Sequence, residues 1–238
     1  MKTAIVFIVV LFAVGSTAHG QVLGQANTTK PGAILEPRTV SVPAALRDKL
    51  SSAADIRAFV TLENSDEVIV YDTVHDAPGT ADFMDNRPHI AVMRHGAVLF
   101  NTDVDNLESS GPVRFEALAV LPGPEDSAVA AFAFSLGVDG AGKSFVFIGR
   151  TPTRYKVTGV LNGEQAQLRF DSHGRLRFWS ADGWVGRGFE NECVWCPKYY
   201  KESELAWTAG KLHRLNSVRH RESYDPSTFA EEPFKFIR

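Results

Sequence analysis

From Ala58 to Val218 the chain is a succession of short runs rich in Val, Ile, Phe and Tyr, each broken within a few residues by Gly, Pro, Asn or Asp. Short β-branched and aromatic runs bounded by turn residues read as strands. The spacing predicts strands over 58–62, 67–73, 89–94, 97–102, 113–121, 128–136, 144–149, 154–161, 165–170 and 174–180, with another pair over 203–208 and 211–218. Asn162-Gly163, Ser172-His173-Gly174 and Ala209-Gly210 are hairpin sequences, because glycine accepts the positive φ such turns require. Neighbouring strands are therefore expected to be mostly antiparallel. The expected fold class is mainly β, an antiparallel sandwich or barrel-like body; a partial propeller fits least, since no repeat of fixed period is present.

The residues before this body have other jobs. Lys2 precedes the apolar run Ala4–Val14, and Gly15-Ser16-Thr17-Ala18-His19-Gly20 comes after it, the charged, apolar and small-residue order of a secretory signal peptide. The run is shorter than the about 20 apolar residues that span a bilayer. Residues 1–20 are thus expected to be removed before Gln21, with no membrane insertion afterwards. Residues 21–40 read as a loose arm, with a glycosylation sequon at Asn27, and residues 41–238 as a single β-rich domain. One short helix is expected over 41–50, where Leu46 and Leu50 stand four apart behind Pro43. Loss of Lys2 would take the formal charge from −3 to −4, which gives no basic domain for nucleic acid.

Gly137-Val138-Asp139-Gly140-Ala141-Gly142-Lys143-Ser144 matches the phosphate-binding loop pattern residue for residue. Such a loop needs a helix opening at its Lys-Ser pair, whose N-H groups and dipole hold the phosphate. The next four residues here are Phe145-Val146-Phe147-Ile148, a strand-like run, so the octet is expected to join two antiparallel strands, with Lys143 solvated and no nucleotide bound. Asp139 lacks the further carboxylates of a calcium loop, and no metal or cofactor is predicted.

The only two cysteines, Cys193 and Cys196, flank Val194-Trp195 and are expected to form a small-loop disulfide in an oxidising compartment. A ring this small contributes about 2 kcal/mol at most. All four tryptophans, Trp179, Trp184, Trp195 and Trp207, lie near it. They either fill a satellite core or form a binding face, for which Trp184, Arg187, Trp195 and Tyr199 are the candidate residues.

His75, Asp76, Asp82, Asp85 and His89, with Asp72, concentrate groups that hydrolases and metal sites use, but no motif assigns them roles. On one strand, His89 and His95 would stand about 20 Å apart, too far to share an ion. Lys211–Arg221 holds no acid and forms a basic strip, read as a solvated face.

With its signal peptide, short helix, β-rich body and late Cys193-Val194-Trp195-Cys196 segment, the chain resembles exported β-rich proteins of Gram-negative soil bacteria. That resemblance implies export and fold class and brings no activity, catalytic residue or cofactor. The expectation is a periplasmic or secreted non-enzymatic module that binds a protein or envelope component. An exported hydrolase using His75 to His89 is the alternative, and a thiol-disulfide protein using Cys193 and Cys196 the third.

Overall fold

The computed structural model describes residues 29–37, 40–41, 49–50, 53–74, 86–104, 113–122, 128–136, 142–151, 154–182, 199–220 and 232–237. Among them the regular structure is all strand, arranged in three five-stranded sheets. The N-terminal sheet orders β2 (Val40–Ser41), β3 (Ala53–Thr61), β4 (Glu67–Val74), β5 (Asn86–Arg94) and β6 (Ala97–Asp103). The central sheet orders β1 (Ile34–Leu35), β7 (Val113–Val120), β8 (Ala128–Leu136), β9 (Gly142–Arg150) and β10 (Tyr155–Glu164). In the C-terminal sheet the order is β14 (Lys211–His220), β13 (Tyr199–Thr208), β12 (Leu176–Asp182), β11 (Gln167–Asp171) and β15 (Phe234–Ile237). Every pairing is antiparallel except β11 with β15.

The central sheet carries a core on each face. Towards the N-terminal sheet, Phe115, Leu118, Phe132, Phe134, Val146 and Ile148 pack with Val60, Val68, Val70, Ile90 and Val92. Towards the C-terminal sheet it presents Ala117, Ala119, Ala131 and Ala133, and the space above these small side chains is taken by Phe145, Phe147, Phe170, Phe178 and Phe234. Phe145 meets Phe178 and Phe234 edge to face, each at 5.6 Å between centroids, a geometry the ring quadrupole favours. Burial on both faces explains why β7 to β9 read as near-continuous apolar runs rather than alternating ones.

Register irregularities move side chains between faces. Phe115 and Ala117 are two residues apart yet belong to opposite cores, because the ladder shifts between them and one extra residue inverts the alternation. The shift between Ile56 and Ala58 does the same. Ile56 joins Ile69, Tyr71, Ala91, Met93 and Leu50 on the outer face of the N-terminal sheet, while Ala58 faces inward.

Part of the segment read as a loose arm is tied to its surroundings. Thr29 N donates to Thr61 O, and Gly32 N donates to Val120 O. A Cβ on Gly32 would stand 3.1 Å from the Phe236 ring, so residues 29–32 reach all three sheets. The helix expected over 41–50 falls mostly outside the described residues; Ser41 pairs in β2 with Asp55, and Leu50 is fully buried.

Two expected turns occur as written. Ala209 and Gly210 both have positive φ between β13 and β14, and Gly174 has φ 76° between β11 and β12. The third does not: Asn162 and Gly163 lie inside β10, paired with Ser144 and Lys143, and the turn falls two residues beyond Gly163, at Gln165, φ 44°. Gly163 is needed for proximity, since an added Cβ would meet Phe178 Cζ and Ser180 Cβ at 2.9 Å.

Candidate functional site

The last three residues of the phosphate-loop pattern belong to the central sheet. Gly142, Lys143 and Ser144 open β9, with Lys143 opposite Ser135 and Gly163 in the neighbouring strands. A strand occupies the place where a nucleotide site needs a helix N-terminus. Lys143 corrects the expectation of a solvated side chain: it is 5 % exposed and ion-paired with Glu116. Glu116 is the residue left over where the ladder shifts between Phe115 and Ala117, which aims its carboxylate across β8 at the lysine. That use of Lys143 is structural, and no pattern search separates it from a phosphate ligand.

The outer face of the C-terminal sheet gathers a different group. Leu168, Phe170, Leu176, Phe178 and Leu205 face the core, so strand alternation turns Arg169, Arg177, Trp179, Tyr200 and Glu202 the other way. Trp179 stacks on Tyr200 at 4.8 Å and on His220 at 5.2 Å, and Tyr200 stacks on His220 at 4.7 Å. The Arg169 guanidinium lies 3.9 Å from the Trp179 centroid, a cation–π distance. Burial pulls the Arg169 pKa below the ordinary guanidinium value, against the opposing charge of Glu202. Glu202 accepts from Arg177 Nη1 at 3.1 Å and lies 3.0 Å from His220 Nε2. Four strands thus contribute to one aromatic and charged surface.

At one end of this sheet, on the opposite face by the same alternation, Asp182 and Tyr199 are register partners. Arg219 lies 5.3 Å over the Tyr199 ring and donates to Asp182 Oδ2 at 2.7 Å. The described chain leaves the sheet after Asp182 and resumes at Tyr199. Trp184, Arg187, Cys193, Trp195 and Cys196 lie in that segment, outside the described residues; of the candidate binding residues, Tyr199 alone is described. The tryptophan cluster divides between the two roles weighed for it: Trp207 packs edge to face on Phe147 in the core, whereas Trp179 sits on the outer face. Trp179, Arg169 and His220 fall outside the candidate residues legible in the sequence, because their meeting depends on the pairing of β11 to β14.

The acidic and histidine region is only partly described. His75, Asp76, Asp82 and Asp85 lie outside the described residues. Asp72 is buried and bonded to Arg57. His89 lies opposite Tyr71 and Asp103 in β4 and β6, stacks on the Tyr71 ring at 5.0 Å, and has Nε2 3.2 Å from Thr73 Oγ1. Burial raises the Tyr71 pKa, with the Asp103 charge acting the same way and the bond to Asn101 opposing it. His95 departs from the strand position considered for it: β5 ends at Arg94, and His95 with Gly96 forms the positive-φ turn into β6.

Asp66, unremarked in the sequence, is fully buried and accepts from Arg94 Nη2 at 2.8 Å, Asn64 Nδ2 at 2.7 Å and the Tyr155 hydroxyl. Burial raises its pKa, but the bonds from Arg94 and Tyr155 and the Arg94 charge more than offset this and leave it lowered. Tyr155 is pushed up to about 12, by burial first and then by its bond to Asp66. This cluster joins the β3–β4 turn to β10 and β5, a structural use of the carboxylate. Among the described residues no group of three or more His, Cys, Asp or Glu side chains is arranged to hold a metal. In comparisons with known proteins, the chain matches no family model, no curated protein and no solved structure.

Proposed function

We propose that the chain is an exported, non-enzymatic β module that binds a protein or envelope component through the outer face and β14 side of the C-terminal sheet. One observation carries the reading: beside the Arg169, Trp179, Tyr200 and His220 surface, Leu215 and Val218 are 63 % and 50 % exposed on a strand. Partly exposed aromatics and arginines next to exposed aliphatics are the residue types of interface anchors. Export rests on the signal-like order of residues 1–20. The Cys193–Cys196 disulfide, within a segment whose ends are held by the Asp182 and Tyr199 pair, rests on close spacing and on that compartment. The short helix is left to residues 42–48, between Ser41 in β2 and Leu50, which packs on the outer face of the N-terminal sheet.

The hydrolase reading has one observation in its favour, the hydroxyl, imidazole and carboxylate order of Thr73, His89 and Asp103. Thr73 and His89 lie on the interior strands β4 and β5, where backbone N-H groups engage in the ladder instead of forming an oxyanion hole. A photoreactive amino acid at Val218 should form a discrete adduct with a partner from the envelope fraction, and the same probe at Val98 in β6 should not. Absence of an adduct at 218, or identical adducts at both positions, would reject the binding face. Ester turnover abolished by His89→Ala would put the hydrolase first.

A further inference from the structure

We propose that β14 is a docking strand, whose outer edge, unpaired among the described residues, takes up an extended acidic polypeptide as a sixth strand of the C-terminal sheet. The proposal deepens the binding reading by naming the partner's chemistry. Strand β14 pairs on one side with β13 and ends the sheet on the other, and most of its ten residues are exposed. An edge strand offers a row of backbone donors and acceptors to an incoming chain. Charged residues on an edge often serve only to repel other edges, yet here the exposed Leu215 and Val218 stand among them. The edge of the central sheet adds to this side, for Gly159 of β10 lies against Leu212 and is flanked by the exposed Val157 and Val160.

Charge selects the occupant. Between Lys211 and His220 there are three Lys or Arg residues, two His and no acid. Arg219 and His220 contact Asp182 and Glu202, whereas Lys211 and Arg214 have no carboxylate partner among the described residues. A second copy pairing through β14 would set this basic strip against itself. The chain's own residues 221–231 are too short to line it: they leave β14 and must reach Glu232 beside β15 on the opposite edge, four strand spacings or about 19 Å away. Running back along β14 takes about 33 Å more, and the twelve steps available extend about 42 Å at most. An acidic chain from another molecule satisfies the length and the charge.

The probe is a capped ten-residue peptide alternating glutamate and valine, with lysine-for-glutamate and fully N-methylated versions as controls. Titration and hydrogen exchange should show saturable binding that protects amides in 211–220. Methylation should abolish it, since it removes the donors needed for pairing. Lys211→Glu with Arg214→Glu should weaken it roughly tenfold or more, about 1.4 kcal/mol; both side chains are exposed, and an unchanged urea midpoint would show that the fold survives. Equal binding of the lysine peptide or the methylated peptide, or protection elsewhere, would overturn the proposal. So would dimerisation through β14, or amides already protected without peptide and released when Glu222, Asp225 and Glu231 are neutralised. If the Val218 probe captures a partner while the peptide fails, edge docking falls and the binding reading stands; failure of both removes both.

Discussion

Asp66 shows how much one buried side chain can join. It receives hydrogen bonds from Arg94 on β5, Asn64 in the β3–β4 turn and Tyr155 on β10, so its loss strands several polar groups at once. Asp66→Ala should cost about 1–3 kcal/mol, as expected when buried donors such as the Tyr155 hydroxyl lose their acceptor, and urea denaturation at neutral pH would measure it. The pH dependence has two limbs. Because the folded pKa of Asp66 is lowered, its contribution is present above the unfolded value of about 3.9 and is lost as pH falls through the folded pKa. Tyr155 is raised to about 12, so its contribution holds below the unfolded value of about 10 and is lost as pH rises towards the folded one. Asp66→Asn should flatten the acid limb and Tyr155→Phe the alkaline limb; unchanged profiles would show that other groups control them.

At the scale of strands, the end of β10 joins turn chemistry to sheet packing. Gly163 has no room for a side chain against Phe178 and Ser180, while the positive φ at this turn belongs to Gln165. Gly163→Val should therefore destabilise by about 1–3 kcal/mol through overpacking. Gln165→Gly should be neutral or stabilising by up to about 1 kcal/mol, because it relieves a left-handed residue. Reversal of that order in thermal melts would return the turn to Asn162-Gly163. The sequence misleads at this turn for a physical reason: Asn-Gly is the commonest two-residue hairpin pair, but glycine also serves where two sheets approach closely, and one residue type cannot announce which.

Across the molecule, the central sheet makes the two cores interdependent. Phe132 packs towards the N-terminal sheet, whereas the two described tryptophans, Trp179 and Trp207, lie on strands of the C-terminal sheet. Phe132→Ala should cost about 3–5 kcal/mol. If the chain unfolds as one unit, tryptophan fluorescence and far-UV circular dichroism should shift together; a fluorescence transition left in place would mean that the C-terminal sheet unfolds by itself.

Strand positions were legible in the sequence because β-branched and aromatic runs between turn residues are local signals. The twelve runs from Ala58 to Val218 correspond to β3 to β14, with ends shifted by a few residues. The short strands β1, β2 and β15 carry little pattern of their own, and β15 exists as the parallel neighbour of β11. The strand at the end of the phosphate-loop pattern was legible too, in the apolar Phe145-Val146-Phe147-Ile148 directly after it. Tertiary structure decided which face each strand presents, since irregularities such as the one between Phe115 and Ala117 invert an alternation that the residues alone would extend. It also decided the partners: Lys143 meets Glu116 across β8, and Arg169, Trp179, Tyr200 and His220 assemble from four strands through register. Register is a relation between distant segments, set by burial of whole faces, and so the candidate surface came into view only with the sheet that builds it.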